Sequence, residues 1–247
     1  TITTYYDRKH LALMLVQEKR VNAIFNHFVR VVSPELQKWS KTLSDNVWVR
    51  NASVESAINR QLLELQYNLK QEINNNQKLA WDNSIEKNDK VVEDYIKNMA
   101  LSTAQRKGMF ARNMDALLTF QNRTEGGLNL SKRVWNITTQ TKNHIELFLQ
   151  SGISQGRSAE AIGRDFRQLL LNPDKRFRRV KNKQGKLTLS QPMKGYNPGR
   201  GVYRSSRMNA LRTASTETNM AYRLSDLERW QGLEFVLGYE VKRSANS

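Results

Sequence analysis

The sequence predicts a mainly α protein, in which an elongated helical N-terminal region precedes a small α+β C-terminal domain with one or a few short strands. Three observations lead to this prediction. Helix breakers are scarce, because no glycine occurs before Gly108 and Pro34 is the one proline before residue 173. Apolar residues recur at helical spacing through most of the chain. A period near two, which is typical of a strand, occurs at residues 234–241.

The first two helices are indicated by their apolar stripes. The earlier stripe consists of Met14, Val21, Ile24, Phe28 and Val31. Ser33, Pro34 and Glu35 then offer an N-cap, a first-turn proline and a favourable first-turn charge, so a short second helix is predicted to begin there. The clearest stripe follows, and its members are Val54, Ile58, Leu62, Leu65, Leu69 and Ile73. Steps of three and four predict a helix that packs along one side.

The next helices lead to a predicted domain boundary. Ser102 and Gln105 have capping-box spacing, and a single helix is predicted to follow them. Its apolar positions are Phe110, Met114, Leu117 and Leu118. The sequence NRTEGG at 122–127 then breaks the pattern. We therefore divide the chain into a helical region at 1–127, expected to dock on a partner, and a second domain at 128–247.

The second domain begins with another helical stripe, formed by Leu130, Val134, Ile137, Thr141, Ile145 and Phe148. Ser158 is predicted to cap a short helix that Pro173 ends. The last helix has its apolar and small residues at Met208, Leu211, Ala214, Thr218, Ala221, Leu224 and Leu227. Gly232 terminates it, and residues 234–241 form the predicted strand, which must pair with another segment because a lone strand is unstable.

A basic loop is predicted at about 174–207. Residues 175–207 hold eleven of the forty Lys and Arg residues and no Asp or Glu, in a chain of net charge +17. Such a run can be a merely solvated surface. Here aromatic residues and glycines are interleaved with the cations, which suits contact with phosphates at low salt and with little sequence preference. The residues expected to contact DNA are Lys175, Arg176, Arg178, Arg179, Lys181, Lys183, Lys186, Lys194, Arg200, Arg204 and Arg207.

Signs of catalytic or metal chemistry are scarce in the sequence. The chain has no cysteine, which excludes disulfides, thiolate zinc sites and a cysteine nucleophile. The three histidines, His10, His27 and His144, lie far apart and have no metal-ligand companion at helical spacing. The longest apolar run, at 11–16, is far too short to span a membrane. We therefore predict neither a metal site, nor a cofactor, nor an enzyme.

Glu217 is the one carboxylate that has two interpretations. It lies in the sequence RTASTE at 212–217, among small residues that permit close helix packing. We favour an ion pair or capping network with Arg212 that holds the helix against its neighbours. The alternative is a carboxylate at a functional site.

Four segments in order are shared with a known family. They are LFLQSGISQG at 147–156, SAEAIGR at 158–164, RTASTE at 212–217 with Ala221 and Tyr222, and GLEFVLGY at 232–239. This order resembles the phage Mu F-like family of head morphogenesis, or minor head, proteins over roughly residues 129–247. The matching positions, with an expected structural role, are Gly152, Gly156, Ile162, Arg164, Arg212, Thr216, Glu217 and Ala221. The basic segment is long for the family, and the part with Cys and His that often follows the strand is missing.

The resemblance implies a structural minor head protein of a tailed bacteriophage. Such a protein would act in head assembly beside the portal, in the capsid interior or at the portal vertex, in several copies per virion. It would occupy the host cytoplasm during assembly and would have no membrane partner. The implied partners are the portal protein, the major capsid protein and the double-stranded DNA genome.

Two other classes of function stay open. A non-sequence-specific nucleic-acid-binding protein unrelated to capsids would share the charge pattern, and it would have no stable portal partner. An enzyme or toxin of the same domain family is the second alternative, because family members can have toxin domains fused beyond the shared region. The basic loop could also grip an acidic surface of the portal instead of DNA.

Overall fold

The structure is a computed structural model that describes residues 2–41, 52–153, 159–171, 179–189 and 200–238. Over these residues the chain is mainly helical with a few short strands, which confirms the predicted fold class. The helices are α1 (Ile2–Lys41), α2 (Ala52–Ile96), α3 (Thr103–Met109), α4 (Met114–Asn122), α5 (Leu130–Ile153), α6 (Ala159–Leu171) and α7 (Ser206–Gln231). The strands are β1 (Thr124–Glu125), β2 (Leu128–Asn129), β3 (Arg179–Lys181) and β4 (Leu187–Leu189), and a 3-10 helix spans Gly201–Arg204. None of the described helices is both long enough and apolar enough to cross a membrane.

The chain forms two compact units. Unit 1 consists of Thr1–Leu15, Asn74–Arg123 and Thr216–Ser247, and unit 2 consists of Val16–Ile73 and Thr124–Ser215. Helices α1, α2 and α7 therefore each contribute residues to both units. The division at residue 127 into a docking region and a head-protein domain concerns function and stays a prediction.

Unit 2 is organised around one apolar core. All six residues of the predicted α2 stripe, from Val54 to Ile73, are buried, which confirms that this face of the helix packs inward. The buried residues that join them from the other helices are Val21, Phe25, Phe28, Val29, Val32, Leu36, Leu130, Val134, Ile137, Ile145, Phe166, Leu170, Ala210 and Ala214. Phe28 and Phe166 meet edge to face, with ring centroids 6.5 Å apart.

Unit 1 has smaller apolar clusters around a polar interior. Trp81 is fully buried and packs with Ile85 and Leu117, while its indole Nε1 donates to the carbonyl of Arg112 at 3.2 Å. A second cluster contains Val92, Ile96 and Leu233. Between the helices of this unit lie buried Asn, Ser, Lys and Asp side chains that are bonded to each other, and these form the polar network described below.

The predicted helix start at Ser33 is wrong, because α1 continues through Pro34. The hydroxyl of Ser33 donates to the carbonyl of Val29 at 2.7 Å, which is a bond made inside a helix and is not a cap. Val32 and Leu36, on either side of the proline, are fully buried. The burial of these apolar residues therefore overrides the local stop signal.

The helix predicted after Ser102 is two helices. The capping box is confirmed, since the Ser102 hydroxyl accepts from the amide of Gln105 and the Gln105 side chain accepts from the amide of Ser102. However, α3 ends at Met109 and α4 begins at Met114. Asn113 has a left-handed backbone with φ +47°, which interrupts the helical path between them.

The predicted break at 122–127 is confirmed as a β-hairpin. Helix α4 ends at Asn122, and β1 pairs antiparallel with β2 through Thr124 to Asn129 and Glu125 to Leu128. Gly126 and Gly127 have φ values of +57° and +76°. Two consecutive positive φ values are those of a two-residue hairpin turn of type I′, and glycine adopts them without strain.

The strand predicted at 234–241 is wrong over the residues that the structure describes. Glu234 and Phe235 lie in a turn, and residues 236–238 have no regular secondary structure. Phe235 stacks on Tyr95 of α2 with ring centroids 4.1 Å apart, and Leu233 is buried. These apolar residues cover α2 instead of pairing with a strand. Residues 239–241 of the prediction lie outside the described residues.

Candidate nucleic-acid interface

Part of the basic segment is a β-hairpin, which corrects the prediction of a loop. Strands β3 and β4 pair antiparallel, with Arg179 across from Leu189, Val180 across from Thr188, and Lys181 across from Leu187. A further turn of the segment is the 3-10 helix at Gly201–Arg204. Polar and apolar residues alternate along both strands, and Gly185 lies in the connection between them. These features are a local signal for a hairpin, which the prediction of a loop did not use.

The tip of this hairpin is held by its own hydrogen bonds. The Asn182 amide donates to the Lys186 carbonyl and the Gly185 amide donates to the Asn182 carbonyl, both at 2.9 Å. The Asn182 side-chain oxygen also accepts from the amides of Gln184 at 3.0 Å and Lys186 at 2.8 Å. Gly185 has φ +75°, which closes the turn. The tip is therefore a defined turn before any partner arrives.

The hairpin presents cations and apolar side chains to solvent. Lys181, Lys183 and Lys186 are exposed. Leu187 and Leu189 are 54% and 36% exposed. The segment contains no acidic residue that could pair with these ammonium groups. The surface can therefore attract a polyanion.

A second basic surface in unit 2, which we call the arginine–tyrosine surface, consists of Arg200, Tyr203, Arg204 and Arg212. The Arg212 guanidinium lies over the Tyr203 ring, 5.3 Å from its centroid, and the ring is 51% exposed. Arg204 Nε donates to the Gly201 carbonyl at 3.1 Å, and the Gln140 side chain donates to the Tyr203 carbonyl at 2.7 Å. These bonds fix the 3-10 helix and hold an aromatic ring among cations, an arrangement that suits phosphate and base contact.

Of the other predicted DNA contacts, two belong to the described residues and four do not. Arg207 is partly buried, and its Nε donates to the Asn22 side chain at 2.7 Å, so it also has a structural bond within unit 2. Arg179 lies in β3. Four predicted contacts lie outside the described residues: Lys175, Arg176, Arg178 and Lys194.

The residues on which the predicted resemblance to the Mu F-like family depends lie, where the structure describes them, on three helices. Gly152 belongs to α5, Ile162 and Arg164 belong to α6, and Gly156 lies outside the described residues. On α7, Thr216 is exposed whereas Ala221 is fully buried. Arg164 is exposed as well.

Glu217 is fully buried in unit 1. Arg123 Nη2 donates to one carboxylate oxygen at 2.9 Å, and Gln77 Nε2 donates to the other at 2.7 Å. The Arg123 guanidinium also lies over the Phe120 ring, 3.8 Å from its centroid. The predicted partner was Arg212, but among the described contacts Arg212 lies over Tyr203 and the ion-pair partner of Glu217 is Arg123. The arrangement holds α7 to α2 and to the end of α4.

A polar cavity of about 640 Å³ in unit 1 was not predicted from the sequence. Asp226 accepts from Ser84 at 2.6 Å, from Asn88 at 2.8 Å and from Lys87, with which it forms a buried ion pair. The Lys87 ammonium lies 4.6 Å from the centroid of the Tyr222 ring. The bonds from α2 to Asp226 join residues about 140 positions apart in the sequence, so no local pattern could reveal them.

His10 is one of the residues that line this cavity. Its Nε2 lies 2.8 Å from Asn219 Oδ1, and its ring stacks on Tyr222 with centroids 4.1 Å apart. Burial lowers the pKa of His10, against the opposing effect of the Asn219 hydrogen bond. Burial likewise raises the pKa of Tyr222 above its ordinary range. Both shifts favour neutral rings in the folded state.

No group of three or more His, Asp or Glu side chains within the described ranges is placed to hold a metal ion. Comparisons with protein-family models, with curated proteins and with solved structures give no match for this chain.

Proposed function

We propose that the chain is a structural minor head protein of a tailed bacteriophage, similar to the Mu F-like proteins, that contacts packaged DNA through residues 175–207. In this proposal the protein lies at the portal vertex or in the capsid interior. Its partners are the portal protein, the major capsid protein and the double-stranded genome.

The observation on which the proposal chiefly depends is the accessibility of the basic segment. Lys181, Lys183 and Lys186 are solvent-exposed, in a stretch of eleven cations without one carboxylate. Each phosphate that such a cation neutralises releases condensed counterions, so the binding constant falls steeply with salt. Contacts of this kind hold DNA of any sequence, which is what a protein inside a filled capsid needs.

The head-protein part of the proposal is supported by the order of four Mu F-like segments between residues 147 and 239. Apolar side chains on α1 add a feature that suits docking. Leu11 and Leu15, one helical turn apart, are 58% and 53% exposed, and a partner such as the portal would cover them.

Affinity capture of the chain during assembly, from the infected host that produces it, tests the proposal. Capture would be done at low and high salt, with and without nuclease, and the recovered proteins identified by mass spectrometry. We expect portal and capsid proteins to remain bound at high salt after nuclease treatment. Recovery of nucleic acid alone, lost as salt rises, would contradict the head-protein role and favour a DNA-binding protein unrelated to capsids.

The DNA contact is tested separately with purified protein. A variant with the eleven cations of residues 175–207 changed to Gln should bind duplex DNA weakly and with a flat salt dependence, because about 0.9 of the slope is lost for each phosphate contact removed. Unchanged affinity would contradict the assignment of this segment.

A further inference from the structure

We propose that the β3–β4 hairpin enters the major groove of duplex DNA, so that the chain binds double-stranded DNA in preference to single strands. This inference rests on the proposed function, because it specifies the nucleic acid that the basic segment binds and the way in which it binds.

The dimensions of the hairpin fit one groove. Two paired strands lie about 4.8 Å apart, and three residues of strand extend roughly 10 Å. The major groove of B-DNA is about 12 Å wide and 8.5 Å deep, and it admits a two-stranded ribbon, whereas the minor groove is about 6 Å wide. A ribbon of three paired positions from Arg179 to Leu189 is therefore narrow enough to enter the major groove and about as long as that groove is deep.

The fixed shape of the tip favours a duplex. A flexible basic loop would follow a single strand as readily as a duplex, because only charge would matter. Here the side chain of Asn182 and the left-handed Gly185 hold the turn in one conformation. A fixed ribbon needs a partner of fixed shape, and the groove of duplex DNA provides one.

The arrangement of cations matches the two walls of a groove. Lys181 ends β3, Lys186 directly precedes β4, and Lys183 lies at the tip between them. Cations at the ends of both strands can reach phosphates on both sides of the groove, which would fix the position of the hairpin without reading sequence.

The two exposed leucines would lie toward the floor of the groove. Leu187 and Leu189 are two residues apart in β4 and therefore share a face of the hairpin, and the pairing of Lys181 with Leu187 puts that lysine on the same face, where its long side chain can extend from the leucines toward a phosphate. Apolar side chains contact the methyl group of thymine in the major groove. A membrane surface is a less suitable partner, because residues 179–189 contain four cations and no aromatic residue that would anchor at a lipid interface.

The first test compares substrates and competitors. The full chain is titrated with a duplex oligonucleotide and with a single strand that has the same number of phosphates. We expect the affinity of the chain for the duplex to be about tenfold higher than its affinity for the single strand. Methyl green, which occupies the major groove, should displace the protein from the duplex, whereas netropsin, which occupies the minor groove, should not. Equal affinities, displacement by netropsin, or binding to phosphatidylglycerol vesicles without duplex preference would overturn the proposal.

The second test separates shape from charge. Gly185→Val keeps every charge but places a β-branched residue at φ +75°, and no neighbouring atom lies within 4 Å of the added Cβ, so the strain is confined to the tip. We expect about a tenfold loss of duplex affinity with single-strand affinity unchanged. Equal losses on both substrates, or no loss, would overturn the proposal.

A charge variant and a matched control complete the design. Changing Lys181, Lys183 and Lys186 to Gln should reduce the salt slope by roughly 2.7 for duplex DNA, about 0.9 for each lysine. The control changes Lys19, Lys107 and Lys132, which are exposed elsewhere, to Gln and should keep most of the slope. If the hairpin variant binds like the control while the variant without all eleven cations does not bind, the groove proposal fails and the proposed DNA contact stands. If neither variant loses affinity, both fail.

Discussion

Arg123 and Glu217 form a buried ion pair between residues that are 94 positions apart in the sequence. The Glu217 side chain is fully buried, whereas the Arg123 side chain is 20% exposed. Because Gln77 donates to the second carboxylate oxygen, both oxygens have a hydrogen-bond donor. Burying a charge is costly without such partners, so this pair fixes how α7 packs within unit 1.

Removing Arg123 should strongly destabilise unit 1. In Arg123→Leu the carboxylate of Glu217 stays buried without its ion-pair partner, and we expect the free energy of unfolding to fall by about 3–5 kcal/mol. Lys142→Leu is the matched control, because Lys142 pairs with Glu146 at 3.9 Å on the surface, where such a pair contributes about 0–1 kcal/mol. Urea unfolding followed by circular dichroism measures both values.

The double variant Arg123→Leu with Glu217→Leu checks the cause. If the unpaired charge is responsible, the double variant should recover part of the loss of Arg123→Leu. A loss of stability in the double variant equal to the sum of the two single losses would show that the two residues act independently.

Replacing Pro34 by alanine should make the protein more stable. Pro34 is exposed and lies inside α1, where it cannot donate the amide hydrogen bond that the carbonyl of Arg30 would accept. Pro34→Ala restores this donor, so we expect the free energy of unfolding to rise by about 1–3 kcal/mol. Lys19→Ala, at an exposed position of the same helix, should change it by less than about 0.5 kcal/mol. Lower stability of Pro34→Ala in urea unfolding would contradict the prediction.

The helices of this fold could be predicted because their signals are local. The α2 stripe from Val54 to Ile73 needs only a spacing of three and four, and every member is buried. The capping box at Ser102 depends on two residues three positions apart, and it forms as predicted. Pro34 shows the limit of local signals, since burial of Val32 and Leu36 keeps the helix continuous across a residue that normally ends one.

The candidate sites depended on distant partners and were predicted less well. The sequence singled out Glu217, but its neighbour Arg212 was the natural candidate for an ion pair, and nothing local points to Arg123. The network at Asp226 likewise joins α7 to α2 across about 140 residues. The basic hairpin has a local signal in Asn182 and Gly185, but the density of charge favoured its interpretation as a loop.

His10 should make the stability of the protein depend on pH. Burial lowers the pKa of His10, so the folded protein binds a proton at His10 less readily than the unfolded chain does. The unfolded chain takes up that proton as pH falls below about 6.5, the ordinary value for His. The contribution of neutral His10 is therefore complete above that pH and is progressively lost as pH falls toward the lowered pKa of the folded state.

The variant His10→Gln isolates this effect. It lacks the titrating ring but keeps every other ionisable group. Because the variant also loses the stacking on Tyr222, it should be less stable than the parent at pH 8. The difference in free energy of unfolding between parent and variant should shrink as pH falls from 7 to 5. A difference that stays constant over this range would contradict the prediction.

Lys183 and Arg207 should differ in function although both belong to the basic segment. Lys183 is exposed at the hairpin tip. Arg207 is partly buried at the start of α7, and its Nε bond to Asn22 at 2.7 Å joins two helices of unit 2. We therefore expect Lys183→Gln to reduce the salt slope of duplex binding by about 0.9 without changing stability.

Arg207→Gln should do the opposite. Loss of its bond to Asn22 should lower the free energy of unfolding by about 1.5–3 kcal/mol, because a hydrogen bond from a charged group is removed. The salt slope should change less than in Lys183→Gln, because Arg207 is partly buried and its Nε is bonded to Asn22. Filter binding across a salt series and urea unfolding of both variants measure the two effects. A larger slope change for Arg207→Gln than for Lys183→Gln would place the DNA at the start of α7 and not at the hairpin.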